Sequence, residues 1–337
     1  MLDIIDRLQQ KKNLTHGQMH AAMTEIMSGR ATDSDIRDFL VALNAKGFTV
    51  EEITVGAEIM RKLVVPVKTD LTKVFDIVGT GGDAKHSFNI STAAAFVVAA
   101  AGVPVAKHGN RSVSSLCGSA DVLEALGVNI TLGHDRLAEC LKQIGIVFLF
   151  AQQHHPAMKH VAAIRKELGV KTIFNILGPL TNPAFATHQM MGVYSRHLVE
   201  QMVHVLKNLG AKRVVAVHSL DGLDEVSTAD KTLVCDFQGG GIKTYEVSPE
   251  DFGVVRAKER DFIGGDKVEN ARILRAILEG QKGPKTDIVL LNSAFGLYAA
   301  EAVASVPEGL KLAEALIGGG KALQKLEQLK EFTHRAQ

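Results

Sequence analysis

The chain has 337 residues, and its 38 Lys and Arg nearly balance 37 Asp and Glu. That balance excludes the broad basic face of a general nucleic-acid binder, and no apolar run reaches membrane-spanning length. Apolar residues make up 46% of the chain, enough for two domains or one large α/β body.

Residues 1 to about 65 read as four amphipathic helices without a strand. Thr15-His16-Gly17-Gln18 and Thr49-Val50-Glu51-Glu52 place a hydroxyl three residues before Gln or Glu, the pattern of a capping box. Asp33 or Ser34 is the expected cap of the helix between them, where Ile36, Phe39, Leu40 and Leu43 recur at helical spacing. Val64 to Val67 reads as an extended linker. From Val74 the pattern becomes strand–helix alternation. Strands are expected at 74–78, 103–106, 146–150, 213–218 and 287–291. Helices are expected at 91–101, 118–126, 135–143, 197–209 and 266–279. The region 156–183 interrupts the alternation with helical residues and the turn-rich Leu177-Gly178-Pro179-Leu180-Thr181-Asn182-Pro183. The fold class expected is α/β, a small all-helical domain plus a large α/β domain with a mainly parallel central sheet. The helical domain covers 1–68, completed by helices from about 165–184; the α/β domain covers 73–164 and 185–337. Ligands of such a sheet bind at the carboxyl ends of its strands.

The chemistry concentrates at those ends. The first strand runs into Gly79-Thr80-Gly81-Gly82-Asp83, and the next helix opens at Asn89-Ile90-Ser91-Thr92. Glycines admit a ligand close to the backbone, and a helix start presents unpaired N–H groups to an anion. The second strand ends in Lys107-His108-Gly109-Asn110-Arg111, which adds positive charge. Such a crevice suits phosphate or diphosphate. A glycine-rich turn alone is often only a tight turn, and this one is neither a Walker loop nor GxGxxG. The combination with Asp83 and the cationic cluster carries the functional reading.

Asp221-Gly222-Leu223-Asp224-Glu225 follows another strand. An isolated acidic turn is usually just solvated. Beside a diphosphate loop, Asp224 and Glu225 read as oxygen ligands for two hard cations, with the Ser91 hydroxyl as a further ligand; Mg²⁺ suits so sparse a set when substrate phosphates complete it. Arg165 is a bidentate partner for a carboxylate, although on a helix an Arg is more often a surface ion pair. His154 and His155 diverge and lack a third ligand, so zinc is rejected. No GxSxG or CxxC supports covalent catalysis. Cys117, Cys140 and Cys235 are scattered, and the acid-containing N-terminus does not read as a signal peptide; both point to a reduced cytoplasm.

Taken in order and spacing, the helical start, GTGGD, NIST, KHGNR, GPLTNP and DGLDE resemble the anthranilate phosphoribosyltransferase family over essentially the whole chain. The resemblance implies transfer of a 5-phosphoribosyl group from 5-phosphoribosyl 1-diphosphate (PRPP) to anthranilate. It implies that Gly79, Gly82, Asp83, Ser87, Asn89, Ile90, Ser91 and Thr92 lie along PRPP. So would Lys107, His108, Gly109, Asn110, Arg111, Ser112, Val113, Ser114, Ser115 and Ser119. Gly79, Asn110 and Arg165 would contact anthranilate, with His108, His155 and Pro179 lining its path. Ser91, Asp224 and Glu225 would hold two Mg²⁺ ions. No residue is expected to be an obligatory general base; Asp83, Lys107 and His108 play supporting parts. Met158 stands where some relatives have Tyr; it can pack on an aromatic ring but gives no hydroxyl. A homodimer through the helical domain is implied, and an anthranilate synthase amidotransferase partner is left open. The competing expectations are a pyrimidine nucleoside phosphorylase, which needs no Asp-Glu magnesium pair, and a nucleic-acid-binding paralogue, which would erode the motifs and gain a basic face.

Overall fold

The structure, a computed structural model, describes residues 1–112 and 116–335. The chain opens with α1 (Leu2–Gln9), α2 (His16–Met27), α3 (Asp33–Lys46) and α4 (Val50–Leu63). Thr15 and Thr49 cap α2 and α4, each accepting from the amide three residues on while Gln18 or Glu52 returns to the cap amide. The cap of α3 is Thr32, with Asp35 as its reciprocal partner, rather than Asp33 or Ser34. Thr32 is extended and a hydroxyl at that position reaches the third amide, which a side chain already inside the helix cannot do. Glu52 does more than close its box. Its buried carboxylate also accepts from the Leu14 amide at 2.9 Å and from Lys46 Nζ at 2.8 Å, tying the starts of α2 and α4 to the end of α3.

The remaining elements are β1 (Phe75–Gly79), α5 (Ile90–Ala100), β2 (Val105–Gly109), α6 (Ser119–Ala125), α7 (His134–Ile144) and β3 (Ile146–Phe150). Then come α8 (Ala151–His154), α9 (Lys159–Leu168), α10 (Ile173–Leu177), β4 (His188–Gly192), α11 (Val199–Asn208) and β5 (Arg213–Ser219). The chain ends with β6 (Thr232–Gln238), β7 (Gly241–Val247), α12 (Lys267–Leu278), α13 (Pro284–Ala299), α14 (Val306–Gly318) and α15 (Lys321–His334). One seven-stranded sheet has the order β3-β2-β1-β4-β5-β6-β7. Its first five strands are parallel, and β6 and β7 are antiparallel.

Strand residues alternate between two cores. Met190, Val215, Val217 and Val234 join the core built with α5 and α12–α15. Met191, Val214, Ala216, Leu233 and Cys235 join the core that holds α11, α1–α4, α9 and α10. Thus α9 and α10 pack with α2–α4 although the sheet's strands flank them in sequence. Two hydrogen bonds mark the crossings: Val65 N–H to the His154 carbonyl at 2.8 Å, and Val67 N–H to the Pro183 carbonyl at 2.9 Å.

The run 287–291 is not a strand; it lies inside α13. That helix is buried nearly all round, so its apolar run carries no helical period to distinguish it from a buried strand. Three strands have no counterpart in the sequence reading. β4 (HQMMG) lacks β-branched and aromatic residues, and β7 is largely exposed and does not alternate. β6 and β7 join through Gly239 and Gly240, both with positive φ, as a tight hairpin turn requires.

Candidate active site

Four loops meet at the carboxyl end of the sheet. Gly79 and Gly192 end the adjacent strands β1 and β4 in register. Neither tolerates a side chain: a Cβ on Gly79 would lie 2.6 Å from Asp224 Oδ2, and one on Gly192 would lie 1.6 Å from the Asp224 carbonyl. The paired glycines therefore open a slot for the acidic loop after β5. Within that loop Asp221 accepts from the Leu223 amide at 3.0 Å and the Ser227 hydroxyl at 2.7 Å. Asn292 on α13 grips Val226 at both its amide (2.9 Å) and its carbonyl (2.8 Å).

Two carboxylates are thereby held under the glycine turn and the start of α5. Asp224 Oδ2 accepts from the Gly81 amide at 2.8 Å, and Glu225 Oε1 accepts from the Ser91 amide at 3.1 Å. Both are nearly out of solvent. Burial, then the charge of Asp83, pushes Asp224 up to about 7; burial, then the charge of Asp224, pushes Glu225 up to about 8. Oδ2 of Asp83 is itself buried without a hydrogen-bond partner. A clustered set of desolvated oxygens is electrostatically incomplete, and a hard divalent cation completes it. Among the described residues no group of three or more His, Cys, Asp or Glu would cage a metal alone. The donor set thus fits a cation that also takes oxygens from its substrate.

Lys107 is buried at the end of β2. Its Nζ donates to the Ile77 carbonyl at 2.6 Å and to Ser91 Oγ at 3.3 Å. Burial lowers its pKa, and the charges of Asp76, Glu225 and Asp224 oppose that shift. Asp76, absent from the sequence-derived site, is fully buried in mid-strand and is pushed up to about 6 by desolvation. It accepts from the His108 amide at 3.1 Å and from Asn182 Nδ2 at 2.8 Å. Asn182 also donates to the Ala106 carbonyl at 2.7 Å. The GPLTNP run therefore locks β1 to β2 beneath the site. A charged residue in an apolar strand was the available signal for Asp76.

His108 and His155 face each other with ring centroids 5.2 Å apart, and Nε2 of each is buried and unpartnered. Burial, then neighbouring imidazoles, holds His108 well below its ordinary value and His155 down to about 4, so both are neutral near pH 7. Pro179 lies close by in the fold, its carbonyl accepting from Gln189 at 2.7 Å. Arg165 is half-buried on α9, with its guanidinium carbon 5.6 Å from the centre of the Phe174 ring; burial lowers its pKa. Arg111 makes ion pairs with Asp121 and Glu124, its guanidinium carbon 5.5 Å from the centre of the Phe150 ring at the end of β3. Asp121 also accepts from the Ser112 and Gly118 amides, shaping the turn before α6. Ser119 donates to the Asn110 carbonyl at 3.3 Å, and Asn89 donates to the Cys117 carbonyl at 3.2 Å while accepting from Asn270 at 3.1 Å. Ser87 forms an isolated bridge with Ile263. Ile90 and Thr92 are buried in the first turn of α5, and Gly82 and Gly109 line the two loops. Val113, Ser114 and Ser115 lie outside the described residues.

Known proteins are similar to this chain in sequence and in fold. The glycosyl transferase family model for the helical bundle domain matches residues 2–64, and the one for the a/b domain matches residues 71–323. An anthranilate phosphoribosyltransferase of Methanobrevibacter smithii is 51% identical over 322 residues, covering 96% of this chain and 96% of that protein. One of Petrotoga mobilis is 50% identical, covering 98% and 96%. The solved anthranilate phosphoribosyltransferase of Thermus thermophilus superposes with a TM-score of 0.93 at 40% identity, over 99% of this chain and 100% of that one. The Saccharomyces cerevisiae enzyme in complex with PRPP and Mg gives 0.91 at 29% identity, over 98% and 97%. With both parts of the chain matched, this chain belongs to the anthranilate phosphoribosyltransferases, pentosyl-transferring members of the glycosyl transferase family.

Proposed function

We propose that the chain transfers the 5-phosphoribosyl group of PRPP to the amine of anthranilate, giving N-(5-phosphoribosyl)anthranilate and diphosphate in tryptophan biosynthesis. The observation that carries this reading is the convergence of Asp224 and Glu225 on the Gly81 amide and the start of α5. In this reading PRPP lies over the Gly79–Asp83 turn and the Asn89–Thr92 helix start, and Ser91, Asp224 and Glu225 hold two Mg²⁺ ions. Bound magnesium offsets the charge that grows on diphosphate as the bond to C1 breaks. The backbone N–H groups at the start of α5 act in the same direction. Gly79, Asn110 and Arg165 contact anthranilate, Arg165 pairing with its carboxylate, and His108, His155 and Pro179 line its path.

The anthranilate amine is a weak base and needs little deprotonation before it attacks C1. Placing it beside C1 therefore supplies much of the rate. The neutral His108 and His155 fit hydrogen bonding and packing rather than acid–base exchange. Hence His108→Ala keeps substantial turnover; near-complete loss of turnover with both substrates still bound would overturn the base-free mechanism.

The division at 1–68 with 165–184, against 73–164 with 185–337, lets the two parts close over both substrates. Exposed Leu2, Val41 and Leu63 on α1, α3 and α4 support a homodimer through the helical part, which light scattering tests. The three buried cysteines fit a reduced cytoplasmic setting, and among the described residues no helix is long and apolar enough to cross a membrane. The primary test is loss of anthranilate fluorescence on mixing protein, PRPP and Mg²⁺. Loss that requires both is the expected result. No loss, with phosphorolysis of thymidine or uridine instead, would replace this reading with a nucleoside phosphorylase.

A further inference from the structure

The cations around the crevice are mostly committed. Lys107 is buried on the Ile77 carbonyl and Ser91. Arg111 is paired with Asp121 and Glu124, and Lys85 with Glu259 at 3.0 Å. Lys171 is different. It stands in the short connection between α9 and α10, exposed, while the next residue, Thr172, is buried as the cap of α10. Its Nζ sits 3.7 Å from the centre of the Tyr194 ring. Among the described residues it has no carboxylate within ion-pair distance.

One of its neighbours, Gly82, belongs to the glycine turn, and the other, Tyr194, follows β4 and is tied to that turn. The Tyr194 amide donates to Thr80 Oγ1 at 2.9 Å, and the Thr80 amide donates to the Gly192 carbonyl at 2.9 Å, so the ring is anchored to that turn. A Cβ placed on Gly82 would lie 3.2 Å from Lys171 Cε and 3.8 Å from Nζ. The end of the lysine thus lies close over the turn at Gly82. The lysine comes from the segment that packs on α2–α4, whereas the turn belongs to the sheet.

We propose that Lys171 is a further substrate-binding residue: its ammonium leaves the Tyr194 ring to meet the diphosphate of PRPP over the Gly81–Gly82 turn. This inference rests on the PRPP reading above. An exposed cation on an aromatic face is weakly held, whereas an ammonium on a phosphate oxygen makes a charge-assisted hydrogen bond, so the move is downhill once the anion arrives. Tyr194 stores the side chain in place and limits the freedom lost on binding.

The test compares Lys171→Met, which keeps much of the apolar stem, with Lys171→Arg, which keeps the charge. Turnover is followed by anthranilate fluorescence with each substrate varied, and inorganic diphosphate serves as an inhibitor that probes the subsite alone. The Met variant is expected to raise the PRPP KM and the diphosphate inhibition constant roughly tenfold, as for loss of one hydrogen bond to a charged group. Its anthranilate KM should stay within about twofold, and the Arg variant should recover most of the loss. Unchanged PRPP and diphosphate constants in the Met variant would overturn the assignment. So would equal losses in both variants, or a parallel rise in anthranilate KM, each of which marks a structural role. A parent without PRPP-dependent turnover would bring down the functional reading and this inference together; an active parent with an unaffected variant sinks Lys171 alone.

Discussion

Asp224 and Glu225 are poor residues for stability where they stand. They lose water on folding and sit beside one another and Asp83, which is why burial and like charge push both carboxyls upward. Sites that bind a cation in this way trade stability for function. Glu225→Gln should therefore abolish magnesium-dependent turnover while raising the melting temperature of the metal-free protein at pH 8. A variant that melts lower than the parent would show that the carboxylate, not its neutral isostere, is the better-satisfied group. The histidines give a separate dependence on pH. His155 is held at about 4 against an ordinary 6.5, and His108 and His154 shift the same way. Between those values each of these histidines binds more protons in the unfolded chain than in the folded one, so their contribution to stability is full above pH 6.5 and falls as the pH drops toward 4. The raised Asp76, Asp224 and Glu225 carboxyls act in the opposite sense, so the histidine part is read as a difference: in scanning calorimetry the parent should lose stability relative to His155→Gln as the pH drops from 6.5 to 4. An unchanged slope would remove His155 from the cause.

The three threonine-capped helices show how unequal neighbouring polar contacts are. Thr49→Ala removes one cap hydrogen bond and should cost about 1 kcal/mol. Glu52→Ala strips partners from the Leu14 and Thr49 amides and leaves Lys46, 4% exposed in its side chain, without its carboxylate. Breaking a buried pair in this way costs roughly 3–5 kcal/mol. Urea unfolding should resolve the difference, and equal losses would mean that the three-way contact at Glu52 contributes nothing beyond its capping box. These helices were legible because cap and period act within a few residues. The glycine turn, the start of α5 and the acidic loop were legible for the same reason: each is a polar signal directly beside an apolar run. Asn182 and Asn292 were not, since their partners lie far along the chain and nothing local marks them, and Asp76 was marked only by its charge within an apolar strand. α13 was misread because a helix wrapped in protein loses its polar face, and β7 because an exposed edge strand has no buried face to alternate with.

The strand order places β1 in the middle of the five parallel strands, with β2 on one side and β4 on the other. The chain leaves β1 toward β3, then returns to build the other half. Ligand crevices form where such connections diverge. The two hydrogen-bonded crossings, Val65 to His154 and Val67 to Pro183, are where the α1–α4, α9 and α10 assembly joins the sheet. If that assembly closes over both substrates, hydrogen exchange at the Val65 and Val67 amides should slow when PRPP and an unreactive anthranilate analogue bind together. Unchanged exchange would place the moving joint elsewhere or deny it.

Gly79 and Gly192 shape a slot that nothing fills until Asp224 arrives. The glycine turn and the start of α5 are synthesised more than a hundred residues earlier than the carboxylates that complete them. A chain emerging from the ribosome therefore carries the glycine turn without its two carboxylates until β5 and its following loop have docked. Substrate and magnesium cannot template the early half of this fold; they can only hold the finished one, and they will protect the enzyme against unfolding without speeding its first folding.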